Sequence, residues 1–139
     1  MRIRVERHVQ FSNCAIKKNK FTGSADFTRL PVDLSNLAIE TNRLSGSVVL
    51  TQLPSNLEEL ILSNNQFSGA LDLTRLPSSM SRLSLRKNSF SGTVDLSQLP
   101  QGLEELDLSD NELSGEVFIF RRLPSSTLRS IFRRAKPEE

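Results

Sequence analysis

The sequence has only one cysteine and one histidine in 139 residues, which restricts the chemistry available to it. A single cysteine cannot form an internal disulfide, so a disulfide framework is excluded. The same scarcity leaves little material for a metal site, and neither a metal nor a cofactor is expected. No apolar stretch approaches the roughly 18 residues of a membrane-spanning helix. The length leaves room for one domain with its own apolar core.

Charge is distributed unevenly along the chain, although the formal net charge is only +2. Residues 1–20 contain six basic and one acidic residue, and residues 121–139 contain six basic and two acidic residues. The middle, residues 21–120, contains six basic and thirteen acidic residues. A nucleic-acid-binding protein more often carries a basic stripe along its body. The pattern therefore disfavours nucleic acid as a partner and leaves only the two ends for anionic surfaces.

A repeat of 23 residues organises most of the chain. Asparagine recurs at this interval, and a glycine follows each of these asparagines four residues later. The repeated asparagines are Asn19, Asn42, Asn65, Asn88 and Asn111. The period divides the chain into a segment at 1–6, five units at 7–29, 30–52, 53–75, 76–98 and 99–122, and a segment at 123–139.

The units share the pattern LPxxLxxLxLxxNxFSGxVDLTx, which resembles the leucine-rich repeat with its LxxLxLxxNxL signature. The FSG or LSG stretch is similar to plant-type and protozoan subclasses. The resemblance covers residues 7–122 and implies an α/β-type repeat solenoid, a horseshoe or right-handed superhelix with a parallel sheet on its concave face. It also implies binding of a protein or peptide partner on that face.

Physical reasoning from the residues predicts the same architecture. In unit three, Leu60 and Leu62 should point inward, whereas Ile61 and Ser63 should point outward. A unit of this length cannot bury its leucines alone, so neighbouring units must stack. Each repeated asparagine should satisfy backbone groups of its own coil and the next, and each glycine should permit a tight turn. We expect short second strands or extended segments at positions such as 94–97, with 3-10 turns on the convex side.

The two ends of the solenoid need caps that cover the core. Residues 1–6 alternate in polarity and are predicted to form a capping strand. The first unit places Phe11, Cys14 and Ile16 where later units have leucines. Apolar residues at helical spacing predict one amphipathic capping helix at 125–136. Little other α-helix is expected.

Catalysis finds no support, and the chain is predicted not to be an enzyme. His8 is interpreted as an exposed residue near a cap, and Cys14 as a buried, inert thiol. Adjacent acidic pairs recur at 58–59 and 104–105, but neighbouring residues of a strand point to opposite faces. These carboxylates are therefore interpreted as solvated edge charges rather than acid–base partners.

The outward residues of the predicted strands are the candidate binding site. The face should be basic at its N-terminal end and acidic at its C-terminal end. An exposed Ile61, flanked by Arg86 and Lys87, is predicted to be a central hot spot. The candidate partner-binding residues are Lys17, Lys18, Glu40, Thr41, Ile61, Ser63, Asn64, Ser84, Arg86, Lys87, Asp107, Ser109 and Asp110.

Two other functions stay open at this point. The basic ends could bind an anionic surface, either RNA or membrane lipid, with the C-terminal helix making weak membrane contact. Alternatively, the chain could be a structural fragment of a larger leucine-rich repeat protein that self-associates weakly through open sheet edges. A cytoplasmic location is expected, because no secretory signal, disulfide-bonded cap or Asn-x-Ser/Thr site is found in the sequence.

Overall fold

The computed structural model of the chain describes residues 13–17 and 19–114. Several residues and segments for which the sequence makes a prediction lie outside this part. They are the capping strand at 1–6, His8, Phe11, Lys18 and the helix at 125–136.

Within the described ranges, ten short strands form two parallel sheets of five strands each. Each coil of the solenoid contributes one strand to each sheet, so coil 1 contains β1 and β2 and coil 5 contains β9 and β10. The first sheet consists of β1 (Asn13–Ala15), β3 (Asn36–Ala38), β5 (Glu59–Ile61), β7 (Arg82–Ser84) and β9 (Glu105–Asp107). The second sheet consists of β2 (Thr22–Gly23), β4 (Arg43–Gly46), β6 (Gln66–Gly69), β8 (Ser89–Gly92) and β10 (Glu112–Leu113).

The core lies between the two sheets and repeats once per coil. In the first sheet, Leu60 is in register with Leu37 on one side and Leu83 on the other, and all three are at most 1% exposed. The second sheet contributes Phe67 and Phe90, whose rings stack with centroids 6.3 Å apart. Such an aromatic pair contributes about 0.5–1.5 kcal/mol beyond its burial. The prediction that alternate leucines point inward is thereby confirmed.

The second strands lie at a different position from the predicted one. They occupy the FSG segment, whereas Val94–Ser97 contributes only an isolated bridge at Asp95. Gly92 has a φ of 81°, which ends the preceding strand in a conformation that glycine adopts easily. The Asp95 carboxylate then accepts a hydrogen bond from the Ser97 backbone N–H at 2.9 Å, so a local turn replaces the ladder.

Helix is nearly absent from the described residues. The one helical element of the described residues is a 3-10 turn at Phe27–Arg29, which agrees with the prediction of 3-10 turns after the second strands. Asp26 caps this turn by accepting a hydrogen bond from the Thr28 N–H at 2.9 Å. Within residues 13–17 and 19–114, the fold is therefore a parallel β-solenoid with almost no helix, which agrees with the predicted solenoid of little helix. The predicted capping helix lies outside the described residues.

Each buried asparagine connects its own coil to the preceding one. The Asn65 Nδ2 donates to the carbonyl oxygen of Ile39, one coil earlier, at 2.8 Å and to that of Ser63 at 3.2 Å. Its Oδ1 accepts from the Leu44 N–H at 3.2 Å, also one coil earlier. The prediction that each asparagine satisfies backbone groups of its own coil is confirmed, but the second partner is the previous coil rather than the next. Asn88 and Asn111 repeat this set of contacts.

The asparagine ladder weakens towards coil 1. Asn42 donates to the Ile16 carbonyl oxygen at 2.9 Å, but its buried Oδ1 has no hydrogen-bond partner among the described residues. Asn19 is exposed, and its Nδ2 donates to the Lys17 carbonyl oxygen of its own coil at 2.9 Å. An unsatisfied buried acceptor costs about 1–3 kcal/mol. Among the described residues, the asparagine of coil 2 therefore makes fewer hydrogen bonds to the preceding coil than the asparagine of coil 3 does.

The residue before Asn42, Asn65, Asn88 and Asn111 adopts a left-handed conformation. The φ angles are 61° at Thr41, 57° at Asn64, 56° at Lys87 and 57° at Asp110. Asparagine and aspartate tolerate this conformation, whereas a β-branched threonine is strained in it. All four were predicted as partner contacts, and the structure shows that they also form the turn that ends each strand of the first sheet.

Thr41→Asn should stabilise the protein by about 1 kcal/mol, because asparagine adopts the left-handed conformation with less strain. The reciprocal change, Asn64→Thr, should destabilise it by a similar amount. Both side chains are exposed, so packing should contribute little to either change. Urea unfolding of the two variants measures the effect, and shifts of the same sign in both would contradict this explanation.

Asn65→Ala should lower the free energy of unfolding by roughly 3 kcal/mol or more, because it leaves several buried backbone groups without partners. Asn19→Ala, the same change at the matching position of coil 1, should cost much less, because Asn19 is exposed. Chemical denaturation gives the free energies, and hydrogen exchange at the Leu44 amide reports the local loss. Equal costs for the two variants would refute the proposed role of the ladder.

Candidate partner-binding face

The outward surface of the first sheet, here called the first-sheet face, carries the predicted binding residues. It is built from the residues that alternate with the buried leucines, such as Glu59 and Ile61 on either side of Leu60. Because the strands are in register, equivalent residues of successive coils form columns across the face. One predicted column consists of Ala15, Ala38, Ile61, Ser84 and Asp107.

The structure adds a column that the sequence reasoning missed. It lies one residue before the inward residue of each strand, which is Cys14 in β1 and a leucine in the others, and all its members are polar. Its members are Asn13, Asn36, Glu59, Arg82 and Glu105. The period of 23 residues together with strand alternation could have located this column, because it lies two residues before the Ala15 column on the same face.

The predicted apolar hot spot is not exposed. Ile61 is 6% exposed, so its description as an exposed residue at the centre of the face is wrong. It lies in the middle strand, in register with Ala38 on one side and Ser84 on the other, and neighbouring strands therefore flank it. Ile61 also lies outside the contiguous core cluster. A partner could use Ile61 as an apolar anchor only if neighbouring side chains moved aside.

Three predicted polar contacts are also buried. Ser84 is 8% exposed, Ser63 is 7% exposed and Ser109 is 1% exposed. Ser109 donates its backbone N–H at 3.0 Å, and also its hydroxyl, to the Asp107 carboxylate. These serines therefore support the surface from below more than they present hydroxyl groups to solvent.

Ion pairs cross the face from one coil to the next. Lys17 pairs with Glu40, with nitrogen and oxygen 3.2 Å apart. Arg82 lies between two carboxylates, with Nε 3.0 Å from Glu105 and Nη1 3.8 Å from Glu59. Such partly exposed pairs contribute only about 0–1 kcal/mol each. Their main effect here is to restrict the positions of long side chains on the surface.

The strongest charges of the face lie in its two last coils. Arg82, Arg86 and Lys87 form a cationic row in coil 4. In coil 5, directly beside it, Glu105, Asp107 and Asp110 form an anionic row, and Asp110 accepts from the Arg86 Nε at 3.2 Å. The expected acidic C-terminal end is present in the described residues. At the N-terminal end, the predicted basic Lys17 is paired with Glu40, and Lys18 lies outside the described residues.

The surroundings of the Cys14 thiol do not favour a catalytic role for it. Cys14 is only partly buried, contrary to the prediction, and burial raises the pKa of its thiol. This shift disfavours the thiolate, which is the nucleophilic form.

Among the described residues, no group of three or more His, Cys, Asp or Glu side chains is placed to hold a metal. In the same part of the chain, no helix is long and apolar enough to cross a membrane.

Two carboxyls in the turns after the second sheet have lowered pKa values. The Thr74 hydroxyl and backbone N–H donate to Asp72 and lower its pKa below the ordinary value of 3.8. Ser97 lowers the pKa of Asp95 in the same way. Each carboxylate stabilises a turn by hydrogen bonds, which explains the shift without any catalytic role.

Thr74→Val should raise the pKa of Asp72 towards its ordinary value, because it removes the hydroxyl donor. In the wild type, the lowered pKa means that the stabilisation is present at neutral pH and is lost as the pH falls through the folded-state pKa. NMR titration of the Asp72 carboxyl measures the shift, with Asp95 as the internal reference. An unchanged Asp72 pKa in Thr74→Val would show that the hydroxyl is not its cause.

Comparison with known families agrees with this geometry. A Leucine Rich Repeat family model matches residues 56–83 and 102–123, which include strands from both sheets. No curated protein matches the chain. Leucine-rich repeats generally mediate protein–protein interaction and are typically non-catalytic. Together with the parallel solenoid and its asparagine ladder, the two matches support a leucine-rich repeat protein.

Proposed function

We propose that this chain is a non-catalytic interaction module that binds a protein or peptide partner on its first-sheet face. The observation that carries the proposal is the set of ion pairs that Arg82 forms across the coils with Glu59 and Glu105. These three side chains are between 33% and 47% exposed, so they are accessible while remaining restricted by one another. Restricting side chains before a partner arrives lowers the entropic cost of binding.

The column that begins with Ala15, next to the column that contains Arg82, leaves space for a partner. Ala15 is exposed and Ala38 is half-buried, so the first two side chains of this column are single methyl groups. A partner backbone can approach the sheet more closely over alanines than over long side chains. The charged columns on either side can then contact the partner's polar groups and determine its orientation.

The dimensions of the face suit a small partner. Five strands about 4.8 Å apart form a sheet only about 20–24 Å wide. This width accommodates a peptide, a helix or one small domain. Among the predicted residues, those best exposed for contact are Lys17, Glu40, Thr41, Asn64, Arg86, Lys87, Asp107 and Asp110. Ile61, Ser63, Ser84 and Ser109 instead support this surface in the proposal.

Ala38→Arg tests the proposal by placing a bulky side chain in the centre of the face. Ala70→Arg is the matched control, because Ala70 is exposed and lies after β6 in the second sheet. Partners captured from a cell extract by the wild type should be lost with Ala38→Arg, by about tenfold or more in affinity, and kept with Ala70→Arg. Thermal unfolding must show that both variants remain folded.

Two outcomes would contradict the proposal. Retention of the partner by Ala38→Arg would place binding elsewhere, and loss with Ala70→Arg alone would point to the second-sheet side. A salt series separates the remaining alternative, since binding through the basic terminal segments should fall steeply as salt is raised. Binding that survives Ala38→Arg and shows this steep dependence would favour an anionic partner.

A further inference from the structure

We infer that the first-sheet face binds an extended segment with alternating acidic and basic residues, lying along the boundary between coils 4 and 5. This inference rests on the proposed function and specifies the partner. It follows from the opposite charges of two adjacent rows, the cationic row of Arg82, Arg86 and Lys87 and the anionic row of Glu105, Asp107 and Asp110.

The cationic row has donors available for a partner. The hydrogen bond from Arg86 to Asp110 uses Nε, and the shortest contact of Arg82 with Glu105 also uses Nε. Arg82 Nη1 also lies 3.8 Å from Glu59, but a guanidinium has five N–H donors, so the remaining donors can bind another carboxylate without breaking these pairs. Lys87 is exposed, and no ion pair of its ammonium is found within the described part of the chain.

The anionic row has corresponding acceptors. Each carboxylate offers about four lone-pair positions, so a carboxylate that already accepts a hydrogen bond can accept another. The Glu105 side chain is 42% exposed and that of Asp110 is 20% exposed, so basic groups of a partner can reach both. Asp107 lies between them along the coil and is held by Ser109.

The spacing of the two rows matches an extended chain. The strands β7 and β9 are parallel and paired, which places the rows about 4.8 Å apart. An extended segment rises about 3.3 Å per residue, and successive side chains point to opposite sides. When such a segment lies flat over the boundary, every second residue faces the cationic row and the others face the anionic row. Acidic residues at i and i+4 would then match the separation of Arg82 and Arg86.

Other occupants fit the face less well. A uniformly acidic segment would be attracted by the cationic row and repelled by the anionic row. A uniformly basic segment would show the reverse, so in each case electrostatic repulsion offsets the attraction. A second copy of the chain would cover only about 400 Å² of this face, as estimated from strand spacing and rise. That is about half of the roughly 800 Å² per partner in a standard stable interface. A linear segment is the occupant that both charge and area favour.

The direct test uses two end-blocked, fluorescein-labelled peptides with the same composition. One has eight alternating Glu and Lys residues, and the other has four Glu followed by four Lys. Fluorescence anisotropy at low salt should show the alternating peptide binding the wild-type chain on the order of tenfold more tightly, a difference equivalent to a few half-exposed ion pairs. Both affinities should fall with added salt.

Variants test whether the two rows are responsible. Arg82→Glu should weaken binding of the alternating peptide by about threefold to tenfold, because it breaks the cationic row. Arg75→Glu makes the same charge change at an exposed position away from the first sheet and should have little effect. The exchange Arg82→Glu with Glu105→Arg keeps an ion pair between the coils but should not restore binding, because the reversed pair then lies beside Arg86 and Asp110 of unchanged sign.

Equal affinity for the two peptides, or no binding of either, would overturn the inference. So would equal losses with Arg82→Glu and Arg75→Glu. These failures are distinct from failure of the proposed function, which Ala38→Arg tests with the natural partner. If that partner is lost with Ala38→Arg while the alternating peptide has no advantage, the face binds a partner of another chemistry.

Discussion

The asparagine amide that follows the first-sheet strand of coils 2 to 5 is the interaction on which the rest of the structure depends. At this point the chain leaves one sheet and turns towards the other, so backbone groups lose their strand partners. Asn65, Asn88 and Asn111 each donate to carbonyl oxygens of their own and the preceding coil and accept a backbone N–H. Turn geometry and coil stacking are therefore determined by the same side chain.

The surface follows from this stacking. Because each coil repeats the last in register, one residue per coil is brought into a column, and charges 23 or so residues apart become neighbours. Arg82 consequently contacts carboxylates of the coils on both sides. The solenoid thus converts a linear pattern of isolated charges into rows of defined spacing. We propose that such rows recognise a partner whose own charges alternate at the spacing of an extended chain.

Some features of the fold could be predicted because they depend on local chemistry. Alternation predicted the inward direction of Leu60 and Leu62, and the glycine period predicted turns that include positive φ values such as 87° at Gly69. The position of the second strands could not be predicted, because FSG and VDL are both compatible with extended backbone. The choice between them depends on the turn that Asp95 and Ser97 form. The exposure of Ile61 was also predicted wrongly, because accessibility depends on neighbours from other coils.

The sequence by itself determined the repeat length, the inward leucines and the asparagine at the end of each strand, because these are set by chemistry within one unit. Only the tertiary structure decided which charges meet. Glu59, Arg82 and Glu105 are each 23 residues apart and form ion pairs only after the coils have stacked in register. The same stacking left the Asn42 Oδ1 without a partner among the described residues. Contacts between coils depend on register and distance in three dimensions, and these properties exist only in the folded chain.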